Sequence, residues 1–218
     1  MRNIEIIAQY HSDRVSPDTD FQSPFWLQAS RLEINSDWRG QAVPSELRTV
    51  VMTAWTDSDL CFGFECSYTE LDMDDPDDPE TDLSTERYAL WERDVCEAFV
   101  RSPLDYSIQT YKEFEAAPNG QWCDLKIDRR RMVRDWEWQS GTRVHHEISR
   151  NRKIYRVVMA IPFNIFGIRP QSGDRWAANL FRITRLNGER QYLALSPTLT
   201  EKPNFHVPEQ FATLHFLA

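Results

Sequence analysis

The segment from Arg48 to Ser67 places the tightest limit on what this chain can fold into. A run rich in β-branched and apolar side chains, RTVVMTAW, is followed by the polar stretch Thr56-Asp57-Ser58-Asp59 and then by LCFGFECS. Side chains of this kind suit a pleated, half-buried surface, and a short polar stretch between two such runs reads as a β-hairpin turn. In the second run Phe62, Phe64 and Cys66 share one face, as a period of two requires. The same pattern recurs at Asp94 to Val100, Ser107 to Glu115, Gln121 to Asp128, Arg143 to Ser149, Lys153 to Ile161, Arg175 to Thr184, Arg190 to Leu195 and Phe211 to Phe216. Asn119-Gly120 stands between two of these runs, and Asn-Gly is the strongest short hairpin signal. Helical periodicity is scarce. Short strands at this spacing predict an all-β fold, an antiparallel sandwich or barrel.

No internal repeat and no Gly/Ser linker divides the 218 residues, so a single domain over 1–218 is expected. Eight Trp, seven Tyr and twelve Phe carry the apolar content in large pieces and exclude intrinsic disorder. Lys and Arg total 25 against 34 Asp and Glu, a net charge of −9, which speaks against nucleic acid or an anionic membrane surface as partner. Eight of those acids crowd into Glu70 to Asp82, ELDMDDPDDPETD, with no base among them. Without them 25 bases face 26 acids, a balance of −1, so the folded body is nearly neutral. The run itself reads as a solvated, mobile loop insertion at about 70–82. It lacks the spacing D-x-[DN]-x-[DN]-G-x₅-E and the turn glycine of a dedicated calcium loop.

No stretch of ~18 apolar residues exists, and Glu5 interrupts what would have to be an apolar signal region. The sequence as written therefore reads as cytoplasmic, with no membrane span. Cys61, Cys66, Cys96 and Cys123 form no CxxC pair and are too few for a disulfide scaffold, so they are expected to be reduced and buried. No sequence signal sets an oligomeric state.

Most catalytic signatures are missing: there is no Gly-rich phosphate loop, no G-x-S-x-G and no H-E-x-x-H. His145 and His146 are adjacent, and neighbours on a strand point to opposite faces, so they cannot hold one ion together. Asp94 and Glu97 sit three apart in a strand, again on opposite faces, which argues against a glycosidase pair. What remains is aromatic side chains beside hydrogen-bonding ones. Trp91 lies in the polar stretch Tyr88-Ala89-Leu90-Trp91-Glu92-Arg93, where an indole has no periodic core face to join. An aromatic plane can bury the C–H face of a sugar while carboxylates, amides and guanidiniums satisfy its hydroxyls. Glu97, Lys112, Glu113, Asn179 and Arg182 are the candidate rim partners.

An ordered series of segments resembles the family 9 carbohydrate-binding modules, in particular the stand-alone members found in bacteria. The series is Trp26-Leu27-Gln28-Ala29, TAWTDSDLCFGFE, ALWERDVCEAFV, YKEFEAAPNGQWCDL, YRVVMAIPF, GDRWAANLFRI and SPTLTEKPNFHVPEQFATLHF, which together cover most of the chain. The resemblance implies an immunoglobulin-like antiparallel β-sandwich that binds soluble sugars or the exposed ends of polysaccharide chains. It implies no catalytic residues and no cofactor other than structural calcium in some members. It makes Trp91 the first of two sugar-stacking tryptophans and Glu97, six residues on, the hydrogen-bonding carboxylate, with Lys112 or Glu113 in the place of a further sugar ligand. The second tryptophan would fall where this chain has Tyr192-Leu193-Ala194-Leu195-Ser196. Its replacement would come from Trp122, Trp136, Trp138 or Phe205, or sugar binding is weakened. Any calcium is expected at strand ends, on carboxylates beside main-chain carbonyls.

Three functions therefore stand side by side. The first is non-catalytic carbohydrate binding centred on Trp91 and Glu97. The second is a glycoside hydrolase or hydrolase-associated domain, which needs two carboxylates in one cleft. The third is a degenerate sandwich that serves protein interaction. The family works mostly outside the cytoplasm, in tension with the missing signal segment.

Overall fold

The computed structural model describes residues 4–12, 17–78, 81–131, 133–135 and 137–218. Among them the chain forms fourteen strands, one α-helical turn at Pro24–Leu27 and four short 3₁₀ turns. The strands are β1 (Glu5–Tyr10), β2 (Ser30–Glu33), β3 (Ser36–Asp37), β4 (Thr49–Trp55), β5 (Asp59–Ser67), β6 (Val95–Arg101) and β7 (Thr110–Ala116). They continue with β8 (Trp122–Asp128), β9 (Val133–Asp135), β10 (Arg143–Ser149), β11 (Ile154–Pro162), β12 (Arg175–Leu186), β13 (Glu189–Ala194) and β14 (Ala212–Leu217). No helix among the described residues is long and apolar enough to cross a membrane.

The expected hairpins are present. β4 pairs antiparallel with β5, with Trp55 opposite Leu60. β7 pairs with β8 around the Asn-Gly turn, where Gly120 takes φ +89° and Asn119 Oδ1 accepts the Gln121 N–H at 3.2 Å. Positive φ at that position is what glycine permits. The predicted pair of separate antiparallel sheets differs from what is found. The strands make one mixed sheet in the order β10-β11-β5-β4-β1-β14-β12-β6-β7-β8-β9, curled into a half-barrel, with β13 on β12. The joint is β1, which runs parallel to both β14 (Glu5 opposite Thr213) and β4 (Gln9 opposite Ala54). Its alternation, with Ile6 and Ala8 fully buried, ties the first strand of the chain to the last.

The curl has a wing made of β4, β5, β10 and β11 and a wing made of β12, β6, β7 and β8. Between them lies the main core, with Phe62, Phe64, Tyr155 and Met159 from the first wing against Cys96, Ala98, Val100 and Phe114 from the second. Trp176 completes it in edge-on contact with Phe166 and Phe216, both at 5.0 Å. A second cluster, holding Phe99, Tyr111, Leu125, Phe181 and Phe205, sits on the opposite face of the second wing.

The acidic run is less solvated than its composition predicts. Asp72 pairs with Arg93 at 3.0 Å and Arg185 at 2.6 Å, and Asp74 pairs with Arg87 and with Arg93 at 3.3 Å. These arginines lie outside the run, so its lack of bases hid their presence. Pro79 and Glu80 lie outside the described residues.

Arg182 sits between the wings and is fully buried. It donates to the carbonyls of Leu47 (3.1 Å) and Ser67 (2.8 Å) and to the hydroxyls of Thr49 (2.8 Å) and Thr184 (3.2 Å), with its guanidinium over the Tyr155 ring. Burial works against its charge, and Tyr155, Cys66, Cys96 and Asp94 more than offset this, so it stays protonated. Arg182→Ala would take a donor from the carbonyls of Leu47 and Ser67, leaving the Thr49 hydroxyl on Leu47 O, and would leave Asp94 without its counter-charge. The expected loss is ~3–5 kcal/mol, a drop of roughly 6–20 °C in melting temperature by circular dichroism. A loss under ~1 kcal/mol would show that Arg182 does not bind the wings together.

Candidate functional site

The face of the second wing turned away from the main core carries the site. Along it, Phe181 lies opposite Glu97, Glu97 opposite Glu115, and Phe99 opposite Glu113, which in turn faces Leu125. The period of two puts all of these side chains on one surface. Of these, Glu97, Phe99, Glu113 and Leu125, with Ile183 and Tyr192, floor a cleft of about 190 Å³. Trp91 lines it from the 3₁₀ turn Leu90–Glu92, and Pro203, Asn204, Phe205 and His206 line it from the segment before β14. Arg134 of β9 reaches the rim. Phe205 stacks on Phe181 with ring centroids 4.1 Å apart and planes 12° from parallel, and Tyr192 meets Phe205 edge-on at 6.2 Å. The cleft is thus aromatic-walled.

Two carboxyl groups, Glu97 and Glu113, line it, and a third, Glu115, lies beside them. Glu97, Glu113 and Glu115 are 2%, 4% and 1% exposed, and one oxygen of each lies within 4.8 Å of the others. Apart from protons that the acids share among themselves, Glu97 Oε1, Glu113 Oε2 and both Glu115 oxygens accept no hydrogen bond. Burial pushes Glu97 well above the usual carboxyl range, and Glu113 adds to it. Glu115 is raised well above that range by burial, then by Glu97 and Glu113. Glu113 rises less, to about 7, because burial is opposed by a hydrogen bond from Glu115. Burial and the positive charges of Arg134 and Arg129 hold His206 down to about 4, so it is a neutral ring at pH 7, with Nδ1 2.7 Å from Tyr111 Oη and 3.9 Å from Glu113 Oε2.

Trp91, Glu97 and Glu113 therefore come together as expected, and Phe205 is the replacement aromatic that reaches the cleft. Lys112 does not. It is one residue out of phase with Glu113, faces the main core, pairs with Asp105 at 3.0 Å and sits over the Phe166 ring. Arg182 is out of phase with Phe181 in the same way and lies between the wings. Asn179 shares the cleft side of β12 but is buried, bonded through Nδ2 to Ser196 O at 2.8 Å and through Oδ1 to Ser196 N at 3.0 Å. It holds the chain after β13 and does not line the cleft. Trp122, opposite Ala116, faces away from the cleft, and Trp138 packs 6.2 Å from Phe114. Trp136 lies outside the described residues.

Tyr192, His206 and Arg134 were not legible as cleft residues in the sequence. Tyr192 occupies the stretch expected to hold the second tryptophan and lines the cleft in its stead. Asn204 to His206 could have been found by the reasoning used for Trp91, since Phe205 is an isolated aromatic between Pro203 and Pro208 in a polar stretch.

The three carboxyls are a poor calcium site. They stand mid-strand, where the main-chain carbonyls are spent on the sheet ladder, and three side chains fall short of the six to eight oxygens at ~2.3–2.6 Å that calcium takes.

No family model matches the sequence, and no curated protein matches it. Among solved structures the chain is similar to a candidate carbohydrate-binding protein from Bacteroides uniformis, with TM-score 0.74 and 17% identity over 97% of this chain and 98% of that one. It is similar to a family 9 carbohydrate-binding module from Caldicellulosiruptor kristjanssonii in complex with cellotriose, with TM-score 0.69 and 12% identity over 99% of this chain and 94% of that one. A family 9 module of the same organism in complex with glucose gives 0.63 and 14% over 98% and 95%. At these identities the likeness is one of architecture: the chain has, over nearly its whole length, the fold of the family 9 carbohydrate-binding modules.

Proposed function

We propose that the chain binds carbohydrate without transforming it, in the cleft between Trp91, Tyr192 and Phe205. The observation that carries this reading is a set of buried carboxyl oxygens, on Glu97 and Glu113, that line an aromatic-walled cleft and accept no bond from the protein. Buried polar atoms normally find partners, and leaving them bare costs about 1–3 kcal/mol each. Sugar hydroxyls are donors of the right size and supply them, while the aromatic rings cover the sugar's C–H faces. The modules of shared fold in complex with cellotriose and glucose make short glucose-based chains the first ligands to try. Affinities in the micromolar to millimolar range, ~4–8 kcal/mol, suit so small a contact.

One observation favours a second reading. Glu97 and Glu113 both line the cleft and their oxygens approach within 4.8 Å, close to the ~5–5.5 Å of a retaining glycosidase. In such an enzyme, however, the acid and the nucleophile flank the scissile bond. Here the two carboxyls stand side by side on adjacent strands and reach a ligand from the same side, which suits holding a ring more than cleaving it. Turnover of an aryl glycoside that disappears in Glu97→Gln would decide for the enzyme.

Binding is tested by titrating cello- and xylo-oligosaccharides against tryptophan fluorescence and calorimetry. Trp91→Ala is expected to weaken binding tenfold or more, at a stability cost of only about 1 kcal/mol, because Trp91 is half-buried at the cleft wall. A large drop in melting temperature with unchanged affinity would remove Trp91 from the site.

The carboxyl trio also fixes a pH dependence. In the unfolded chain a glutamate ionises near ~4.3, while in the fold Glu113 holds its proton to about 7 and burial holds the protons of Glu97 and Glu115 well above the usual carboxyl range. The neutral forms are favoured by folding, so their contribution is intact below the unfolded value and is lost as pH rises past it. The loss from Glu113 accumulates up to about pH 7 and then levels, and those from Glu97 and Glu115 have the same sign. Melting temperature should fall by several degrees between roughly pH 5 and 8, and Glu115→Gln should flatten the slope. A melting temperature that rises over that interval would contradict the assignment.

A further inference from the structure

Two cysteines that the cleft does not use face each other across the main core. Cys66 ends the inward-facing row of β5 and Cys96 stands near the start of β6, 30 residues later, one on each wing. Both are fully buried, and their Sγ atoms are 3.6 Å apart. Cys96 Sγ also lies 3.6 Å from Tyr155 Oη. Arg182 is directly opposite Cys96 on the neighbouring strand and donates to Ser67 O at 2.8 Å, next in the chain to Cys66, so a fixed positive charge borders both sulfurs. Burial raises the Cys66 thiol, but the Cys96 hydrogen bond and Arg182 more than offset this and bring it down to about 7. Cys61 and Cys123 belong to two other clusters.

We infer that Cys66 and Cys96 are an oxidisable pair that closes into a disulfide between the two wings of the sheet. The sulfurs are at van der Waals contact and need approach only to ~2.05 Å, about 1.5 Å of travel. The oxidant is a low-molecular-weight disulfide such as oxidised glutathione. The Cys66 thiolate attacks one of its sulfurs, breaking that S–S bond and releasing one glutathione thiolate. Cys96 then gives up its proton to solvent and attacks the Cys66 sulfur, expelling the second glutathione thiolate. In sum two protein thiols are oxidised to one disulfide and one oxidised glutathione is reduced to two thiols. Because both sulfurs are buried in the fold, the exchange runs while the core is open. The bridge closes a loop that contains the acidic run and Trp91, across the same junction that Arg182 spans without a covalent bond.

The test is refolding from denaturant in a glutathione redox buffer and, separately, in excess dithiothreitol, followed by alkylation of free thiols in denaturant and mass spectrometry. Two of the four thiols should resist alkylation in the oxidised sample, a non-reducing digest should contain a Cys66–Cys96 peptide pair, and the melting temperature should exceed that of the reduced sample by roughly 5–15 °C. In Cys96→Ala no intramolecular bridge should form and melting should no longer depend on the redox buffer. Four alkylated thiols in the oxidised, folded protein, or a bridge that involves Cys61 or Cys123, would overturn the inference, and so would a Cys66–Cys96 bridge that lowers the melting temperature. The wild-type mass measurement decides the matter even if the alanine variant does not fold.

Discussion

Side chains on β6, β7 and β12 face either the interior of the curl or the cleft, and the two-residue period of a strand decides which. Glu97, Phe99, Glu113, Glu115 and Phe181 fall on one side, and Cys96, Lys112 and Arg182 on the other. Moving β6 or β7 by a single position would bring a carboxyl into the main core, and moving β7 or β12 would bring an ammonium or a guanidinium to the cleft side. Register here is held by burial on both faces at once, because each face has its own cluster of large apolar side chains. The parallel strand β1, joining the first and last parts of the chain, lets the sheet curl far enough for the inner face to close on itself.

Two buried polar systems follow from that separation, and they are solved differently. On the inner face the two terminal nitrogens of a single guanidinium donate to carbonyls and hydroxyls of both wings, while its Nε has no partner, so most of its cost of desolvation is offset and it bridges the layers. Across the sheet three carboxyls crowd together, the charge of Arg134 offsets only part of the effect of burial at Glu113, and protonation is how they tolerate one another. The first arrangement leaves one donor, Arg182 Nε, without a partner, and the second leaves four carboxyl oxygens without one, two of them on residues that line the cleft.

The strand pattern was readable in the sequence because ten of the fourteen strands have clear alternation or β-branched runs. The strands that escaped notice, β2, β3, β9 and β1, are short, polar or read as a chain terminus. Separate sheets were expected because hairpins predict only local antiparallel pairs, whereas the mixed sheet depends on a contact between Ile6 and Leu214 at opposite ends of the chain. In the site, Trp91 was legible as an aromatic stranded in a polar stretch, and Glu97 and Phe205 through the family resemblance, Phe205 as one of four possible replacements for the second tryptophan. Lys112 and Arg182 were misplaced because hydrogen-bonding capacity was weighed before strand parity. Parity from Glu97 through the Glu115 pairing separates Lys112 from Glu113, but it needs the register of β6 against β7, which the residues alone do not supply.

Whether Glu97 and Glu113 hold ligand hydroxyls at the floor of an aromatic cleft is decided by a crystal structure of the protein grown with cellotriose. A sugar ring is expected against Trp91 with hydroxyls within about 3 Å of Glu97 and Glu113, in hydrogen-bond range. A sugar bound elsewhere on the molecule, or an empty cleft at saturating ligand, would contradict it.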